Sequence, residues 1–203
     1  MISRARPHLI GLLVLSLVAC SDDDPIGGIP RTARVALNRV KDCDGPATSL
    51  PPNIAATLPP RTGSMVPDDQ WADLASRVPG GFAGVIYDGG RPVLFLTDPS
   101  KAAAAKEALA PSFPSFDIAR AEVRRARWDF AQLVDWYNHL NGVAGIWSID
   151  GISSGDKDES ANRITYGVVD SAAANRLLDV LARLDIPCDL IRVEIIGRIV
   201  PAD

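Results

Sequence analysis

An internal repeat restricts the fold of this chain more than any other feature of its sequence. Shifting the sequence by 72 residues gives eight identities over 33 ungapped positions, where about two are expected by chance. Upstream, residues 83–86 align with 144–147 at a shift of 61. The chain therefore contains the same structural unit twice. The identical pairs are Arg91/Arg163, Asp98/Asp170, Ala102/Ala174, Leu109/Leu181, Ala110/Ala182, Asp117/Asp189, Arg120/Arg192 and Glu122/Glu194.

Each copy has the pattern strand, hairpin, strand, helix, strand. The first copy spans about residues 81–125 and the second about 143–197. Asp98 and Asp170 stand where each helix begins, as N-capping residues do, and the second helix is predicted over 171–184. Strands are predicted over 81–87, 92–97 and 118–124 in the first copy and over 144–149, 163–169 and 190–196 in the second, which also carries an extended hairpin over 151–162.

A connecting helix over 130–141 is predicted between the copies. Asp129 followed by Gln132 forms the pattern of a capping box, and apolar residues recur along one face of the helix. The expected fold is α+β: two repeated β-β-α-β units joined by a helix, with antiparallel or mixed sheets and helices packed on one face of each sheet. About 133 residues suffice for a stable core without a cofactor.

The N-terminus reads as a secretion signal. Arg4 and Arg6 precede a ten-residue apolar run over 9–18, which is shorter than the roughly 20 residues that span a bilayer. The run ends in Leu17-Val18-Ala19-Cys20, which resembles the lipobox of bacterial lipoproteins. The resemblance implies cleavage of residues 1–19 and attachment of lipid to the Cys20 thiol.

Lipid on Cys20 would hold the protein on a membrane of the bacterial cell envelope, because two or three acyl chains suffice for stable anchoring. Ser21, rather than Asp, resembles the default for the outer membrane, facing the periplasm or the cell surface. A plain secreted protein cut near Ala19, or an uncut anchor helix, remains the alternative.

The charge of the chain argues against nucleic acid as a partner. The full chain carries 21 basic and 25 acidic residues, and loss of Arg4 and Arg6 leaves 19 against 25, a net charge of −6. Such a chain lacks the positive field that phosphate backbones require. It also has no electrostatic attraction to anionic lipid, so attachment would depend on the acyl chains.

Residues 20–70 are expected to form a lipidated tether, and 71–203 the folded domain. Eight of the 16 prolines lie in 21–70, and Pro-rich segments act as semi-rigid spacers. One stretch, Thr32–Val40, alternates apolar and polar residues as an edge strand does.

Two cysteines remain once Cys20 is assigned to lipid. Cys43 and Cys188 are an even number in an oxidising compartment, which favours one disulfide. Two unpaired thiols, or a redox or metal pair, are the alternatives, and the sequence has no CxxC spacing that would support the latter.

Residues able to carry catalysis are few. His139 is the only histidine outside the signal peptide, and no nucleophile motif, phosphate-binding loop or zinc motif is present. The acidic residues Asp156, Asp158 and Glu159 lack the spacing of a calcium loop and are interpreted as a solvated turn, with weak cation or partner contact as the alternative. We therefore expect no enzyme activity, no cofactor and no metal, with a hydrolase using His139 as an alternative.

A basic cluster is the candidate contact surface for a partner. It consists of arginines and one tryptophan, the residue types that dominate binding hot spots, and it could form a groove for an acidic peptide or glycan. A charged solvent face is the simpler alternative. The members of the cluster are Arg120, Arg124, Arg125, Arg127 and Trp128.

A second resemblance lies in the C-terminal part. Residues 158–168, followed by a capped helix and residues 189–194, resemble the pro-regions of secreted serine proteases of the alpha-lytic type. The resemblance implies an inhibitor or folding helper that acts on a separate protease. The leading interpretation is a non-catalytic envelope lipoprotein whose domain binds a protein or envelope partner.

The cysteine interpretation can be tested by unfolding. A Cys43–Cys188 bond closes a loop of about 145 residues, and we expect Cys43→Ser to lower the free energy of unfolding by roughly 4 to 5 kcal/mol under oxidising conditions. Cys188→Ser should give the same loss, and reductant should bring the wild-type protein to the level of both variants. Equal stability of wild type and variants in urea without reductant would contradict the bond.

Overall fold

The computed structural model describes residues 47–59, 61, 67–143, 145–187 and 189–197. Cys20, the expected strand 32–40, Cys43 and Cys188 lie outside these residues. The described part contains five α-helices and two three-stranded sheets, so the α+β prediction is confirmed. None of its helices has the length and apolar content needed to cross a membrane.

The first unit is a hairpin followed by a helical crossover. Strands β1 (Phe82–Asp88) and β2 (Arg91–Leu96) pair antiparallel, and Gly89 and Gly90 turn between them with φ of 56° and 78°. Glycine adopts such angles without steric cost, as a two-residue hairpin turn requires. After helix α3 (Ala102–Leu109), strand β3 (Glu122–Arg125) returns parallel to β2.

The second unit repeats this topology. Strands β4 (Ile152–Asp158) and β5 (Arg163–Val168) form the hairpin, and β6 (Ile191–Ile195) pairs parallel to β5 after helix α5 (Ser171–Leu181). Both hairpins have an irregularity in the same place, between Phe82 and Gly84 and between Ile152 and Ser154. The repeated β-β-α-β pattern is therefore present, with two mixed sheets.

Equivalent positions in the two units are not separated by a constant 72 residues. β1 and β4 are offset by 70 residues and β2 and β5 by 72, because the second hairpin has a turn of four residues instead of two. The offset returns to 70 in the last strand, where Val93 pairs with Glu122 and Thr165 with Arg192. Glu122 thus corresponds to Arg192, and its identity with Glu194 is not a structural match.

The predicted strand over 144–149 is wrong. Residues Ile146–Ser148 form a 3-10 turn, entered at Gly145 with φ 58° and followed by Gly151 with φ 90°. Left-handed backbone at both ends turns the chain instead of extending it. The first strand of the second unit is β4, inside the segment predicted as an extended hairpin, and the aligned 83–86 and 144–147 segments are not equivalent.

Two other boundaries differ from prediction. The strand expected over 118–124 is limited to β3, since Ile118–Arg120 form a 3-10 turn in which the Asp117 carboxylate accepts from the Arg120 amide at 3.3 Å. Helix α5 ends at Leu181 instead of 184.

The predicted helix caps are confirmed. Asp98 accepts a hydrogen bond from the Ser100 amide at 3.0 Å and caps the 3-10 turn Pro99–Lys101 that leads into α3. Asp170 accepts from the Ala173 amide at 2.8 Å at the start of α5. Asp129 and Gln132 form the reciprocal capping box, with distances of 2.8 and 3.1 Å. Each bond satisfies an amide that the first helical turn leaves without an intrahelical partner.

Helix α4 (Phe130–Val143) connects the units and belongs to both cores. Phe130 and Val134 pack with the first unit, whereas the second core receives other residues from the same helix. The helix therefore packs between the two sheets and contributes side chains to both cores. The residues in the second core are Leu133, Trp136 and Leu140.

The segment 47–59 packs against the domain, although the sequence places it in the tether. Leu50 is buried in the second core and Ile54, in the short helix α1 (Pro52–Ala55), packs beside it. The indole of Trp136 donates to the Thr48 carbonyl at 3.0 Å. Apolar contact and satisfied backbone groups hold this segment, so the folded part begins earlier than residue 71.

Helix α2 (Pro67–Arg77) also extends the domain toward the N-terminus. Trp71 packs edge-on against Phe82 and Phe130, with ring centroids 5.7 and 5.2 Å apart. At the start of the helix, Asp68 binds the ammonium of the buried Lys157 at 2.7 Å. Lys157 also lies 3.8 Å from the ring centroid of Tyr137, so one side chain from β4 ties α2 and α4 together.

Asn162 joins the two units through its amide group. Its Oδ1 accepts from the backbone amides of Arg127 and Trp128 at 2.7 and 2.8 Å, and its Nδ2 donates to the Trp128 carbonyl at 2.8 Å. The residue is buried and has φ 52°, a conformation that asparagine tolerates better than most residues. We call these three bonds the Asn162 clamp.

Removal of the clamp should weaken the whole domain. Asn162→Gly keeps the positive φ but leaves three buried backbone groups without partners, so we expect the free energy of unfolding to fall by about 2 to 4 kcal/mol. Asp189→Gly is the matched control, since Asp189 also has a positive φ of 61° but is half-buried and, among the described residues, contacts the side chain of Arg163 at 3.5 Å instead of buried backbone groups. Equal effects of both variants in urea unfolding would contradict the clamp.

Candidate functional site

The basic cluster predicted from the sequence does not form one continuous surface. Arg124, on β3, binds Glu122 at 2.7 Å and Asp88 at 2.8 Å. These hydrogen bonds raise the pKa of Arg124, and the bond from Arg124 lowers the pKa of Glu122. The charge of Arg124 is thus matched within its own sheet.

Arg120 stands apart on the 3-10 turn before β3. Its side chain is 86% exposed and lies 3.6 Å from the Asp117 carboxylate. It is accessible to a partner, but it lies on the first unit and is not among the residues that line the pocket between the units, described below.

Trp128 is fully buried, so the hypothesis that its ring contacts a partner is wrong. Its backbone is held by the Asn162 clamp, and its ring is part of the second core. The guanidinium of Arg127 lies over the indole, 5.7 Å from the ring centroid. Trp128 therefore supports the arginine next to it instead of binding a ligand itself.

Arg125 and Arg127 line a pocket between the units together with a third arginine. This junction pocket has a volume of about 300 Å³ and is lined by the end of β2, the segment after β3 and the turn between β4 and β5. Arg163, at the start of β5, and Asp189, before β6, complete its wall. The lining residues that the structure describes thus include three arginines and one carboxylate, that of Asp189.

Two of these arginines contact acceptors of the domain. Arg125 donates to the uncharged Thr97 carbonyl at 3.2 Å, and Arg163 lies 3.5 Å from the Asp189 carboxylate. The clamp fixes the backbone that carries Arg127. A guanidinium held in place is well suited to bind carboxylate or phosphate oxygens in a bidentate way.

The turn between β4 and β5 forms one side of the pocket and also packs on the first sheet. Asp158 accepts from the Ser160 hydroxyl at 2.6 Å and from the Ala161 amide at 2.9 Å, which closes the turn. Glu159 lies against Gly84, where an added Cβ would come within 2.6 Å of the glutamate Cγ. Asp158 and Glu159 are therefore packed at the junction and are not in a free solvated turn, whereas Asp156 is exposed on β4.

His139 makes no hydrogen bond through its buried Nδ1 within the described residues. Its ring lies edge-on to Trp136 at 6.0 Å, and burial lowers its pKa. A general base needs both a nucleophile and a group that orients it, and none is bonded to His139 among these residues. The hydrolase alternative gains no support from this geometry. The same part of the chain holds no cluster of metal-ligating side chains.

Three features of the site were not predicted from the sequence: Arg163, Asn162 and Asp189. Arg163 did appear in the internal repeat as the partner of Arg91, but its place at the junction depends on the longer second hairpin. Asn162 has no counterpart in the first unit, whose turn consists of Gly89 and Gly90. A repeat comparison that allows gaps would have marked this turn.

The chain matches no protein-family model and no curated protein sequence. Its function is therefore inferred from the site and from the sequence signals.

Glu159 should make the stability of the domain depend on pH. Burial, together with the charges of Asp156, Asp158 and Asp68, raises the pKa of Glu159, so the folded state binds its proton more tightly than the unfolded state. The destabilisation by ionised Glu159 is fully present above its pKa in the folded state and disappears below its pKa in the unfolded state. We expect Glu159→Gln to be more stable than wild type at pH 7, with the difference vanishing as pH falls.

The measurement is urea unfolding of both proteins between pH 3.5 and 8. Glu107→Gln, on the exposed face of α3, is the control and should track wild type throughout. A Glu159→Gln variant less stable than wild type at pH 7 would contradict the sign of the effect.

Proposed function

We propose that the protein is a non-catalytic lipoprotein of the bacterial cell envelope, anchored by lipid on Cys20, whose α+β domain binds a protein or envelope partner. The anchor is supported by the lipobox-like Leu17-Val18-Ala19-Cys20 at the end of a signal peptide. Its expected location is the outer membrane, facing the periplasm or the cell surface.

The observation that carries the binding role is the junction pocket. A chain with more acidic than basic residues places three arginines in the lining of one cavity of about 300 Å³. Guanidinium groups donate well to carboxylate and other anionic oxygens, and concave cavities with a few polar groups are typical of binding sites. An acidic group of a partner therefore fits this cavity.

The non-catalytic part of the proposal is supported by the surroundings of His139 and by the use of the acidic turn in packing. An inhibitor or folding helper for a separate protease stays an alternative, carried by the resemblance of residues 158–168 and 189–194 to protease pro-regions. Identification of the bound partner separates the two, since the alternative requires a serine protease.

The anchor is tested by metabolic labelling in a bacterial host. The wild-type chain should incorporate labelled fatty acid and sediment with membranes, whereas Cys20→Ser should do neither, because it lacks the thiol that receives the lipid. Cys43→Ser is the control and should be labelled like wild type. Absence of label from the wild-type chain would contradict lipidation.

The binding role is tested by crosslinking in native membranes. We expect the partner that crosslinks to wild type to be reduced about tenfold by Arg125→Glu, since reversal of a contact charge typically costs that much. Arg183→Glu, exposed on the turn after α5, should leave the crosslink unchanged. An equal yield from wild type and Arg125→Glu would contradict partner binding at this face.

A further inference from the structure

We propose that two copies of this chain associate through strand β6, with the outer edges of the two β6 strands paired antiparallel about a two-fold axis at Val193. The outer edge is the side of β6 away from β5. Such a contact joins the second sheets of the two copies into one continuous sheet. It is independent of the junction pocket, since no residue of β6 is among the described residues that line that pocket.

β6 is the most regular of the strands that end the two described sheets. The other three are β1, β3 and β4. β1 and β4 each have a register irregularity, and Lys157 of β4 points inward to Asp68, features that blunt a sheet edge against pairing. β3 is only four residues long. β6 pairs regularly with β5 along its length, and its inward-facing residues are apolar and belong to the second core. These residues are Ile191, Val193 and Ile195.

Alternate residues of β6 present their backbone groups at the outer edge. The Ile196 amide donates to the Val168 carbonyl at 2.9 Å, so Ile196 directs its backbone groups toward β5. Successive residues of a strand direct their N–H and C=O groups to opposite sides. Ile191, Val193 and Ile195 therefore direct theirs to the outer edge, where no other strand of the described residues pairs with them.

An antiparallel two-fold axis at Val193 uses all of these groups. Val193 then lies opposite Val193 of the second copy, and Ile191 lies opposite its Ile195. Opposed residues of this kind exchange two backbone hydrogen bonds. Asp189 and Gly197, with φ of 61° and 75°, bend the chain at equal distances from Val193. The paired segments therefore begin and end together, as a self-complementary interface requires.

The side chains on the outer face of β6 are complementary in the same register. Arg192 and Glu194 alternate with the core residues, contact each other and are 33% and 37% exposed. About the axis at Val193, Arg192 lies opposite Glu194 of the second copy, and Glu194 lies opposite its Arg192. Opposite charges directly across a strand pair stabilise the pairing, and like charges destabilise it. A second copy thus matches this edge in backbone register and in charge.

The test is charge reversal, measured by analytical ultracentrifugation of the full-length chain in nonionic detergent. Wild type should dimerise as the protein concentration rises. Arg192→Glu and Glu194→Arg should each weaken dimerisation about tenfold or more, because the two-fold axis applies each repulsion twice. The double variant that combines both changes should restore dimerisation, since its opposed charges are again of opposite sign.

A mixture of the two single variants tests the register directly. Arg192→Glu supplies two carboxylates along the edge and Glu194→Arg supplies two cations, so the mixture should form a heterodimer that neither variant forms alone. The matched controls are Arg183→Glu and Glu107→Arg, which make the same changes of charge at exposed positions outside β6. Each control should dimerise like wild type. Circular dichroism confirms that each variant is folded.

Amide hydrogen exchange reports on the same contact at the backbone. The amides of Ile191, Val193 and Ile195 should become protected in wild type as the protein concentration rises. A wild-type chain that stays monomeric would overturn the proposal, as would equal weakening by Arg192→Glu and Arg183→Glu. Protection that does not depend on concentration would also overturn it, because another segment of the same chain would then cover the edge.

Discussion

The amide of Asn162 binds three backbone groups of the segment that follows β3, and this clamp holds the second unit against the first. Burial of this side-chain amide requires hydrogen-bond partners for its donor and acceptor groups. Here the partners are the backbone of Arg127 and Trp128, which pass from the sheet of one unit into helix α4. The relative placement of the units, the burial of Trp128 and the shape of the junction pocket all depend on it.

The parts of the fold that depend on local sequence could be predicted. Asp98, Asp170 and the Asp129–Gln132 pair begin helices where expected, since a cap needs only a side chain within three residues of the amide it satisfies. The Gly89-Gly90 hairpin likewise follows from short-range turn chemistry. The topology of each unit followed from these signals together with the repeat.

The parts that depend on distant contacts could not be predicted. β4 has the sequence Ile-Ser-Ser-Gly-Asp-Lys-Asp, which has little strand propensity, and it is a strand because β5 pairs with it and Lys157 reaches Asp68 and Tyr137. The more apolar segment 144–149 fits a strand better by its sequence, although left-handed Gly145 turns the chain there. The position of Trp128 also depends on distant contacts. Because it follows an arginine-rich segment, its sequence context predicts contact with a partner, and only the tertiary structure shows that it is buried.

The difference between the two copies is also what makes a site. The first hairpin turns in two glycines, where an added Cβ would meet nothing within 4 Å, whereas the second turns in four residues and its Glu159 lies against Gly84 of the first sheet. The longer turn supplies Asn162 and places Arg163 in the lining of the junction pocket. Since two identical units would present the short turn at both places, neither the clamp nor the pocket could form between them. The binding role proposed for this chain therefore depends on the one hairpin in which its repeat is broken.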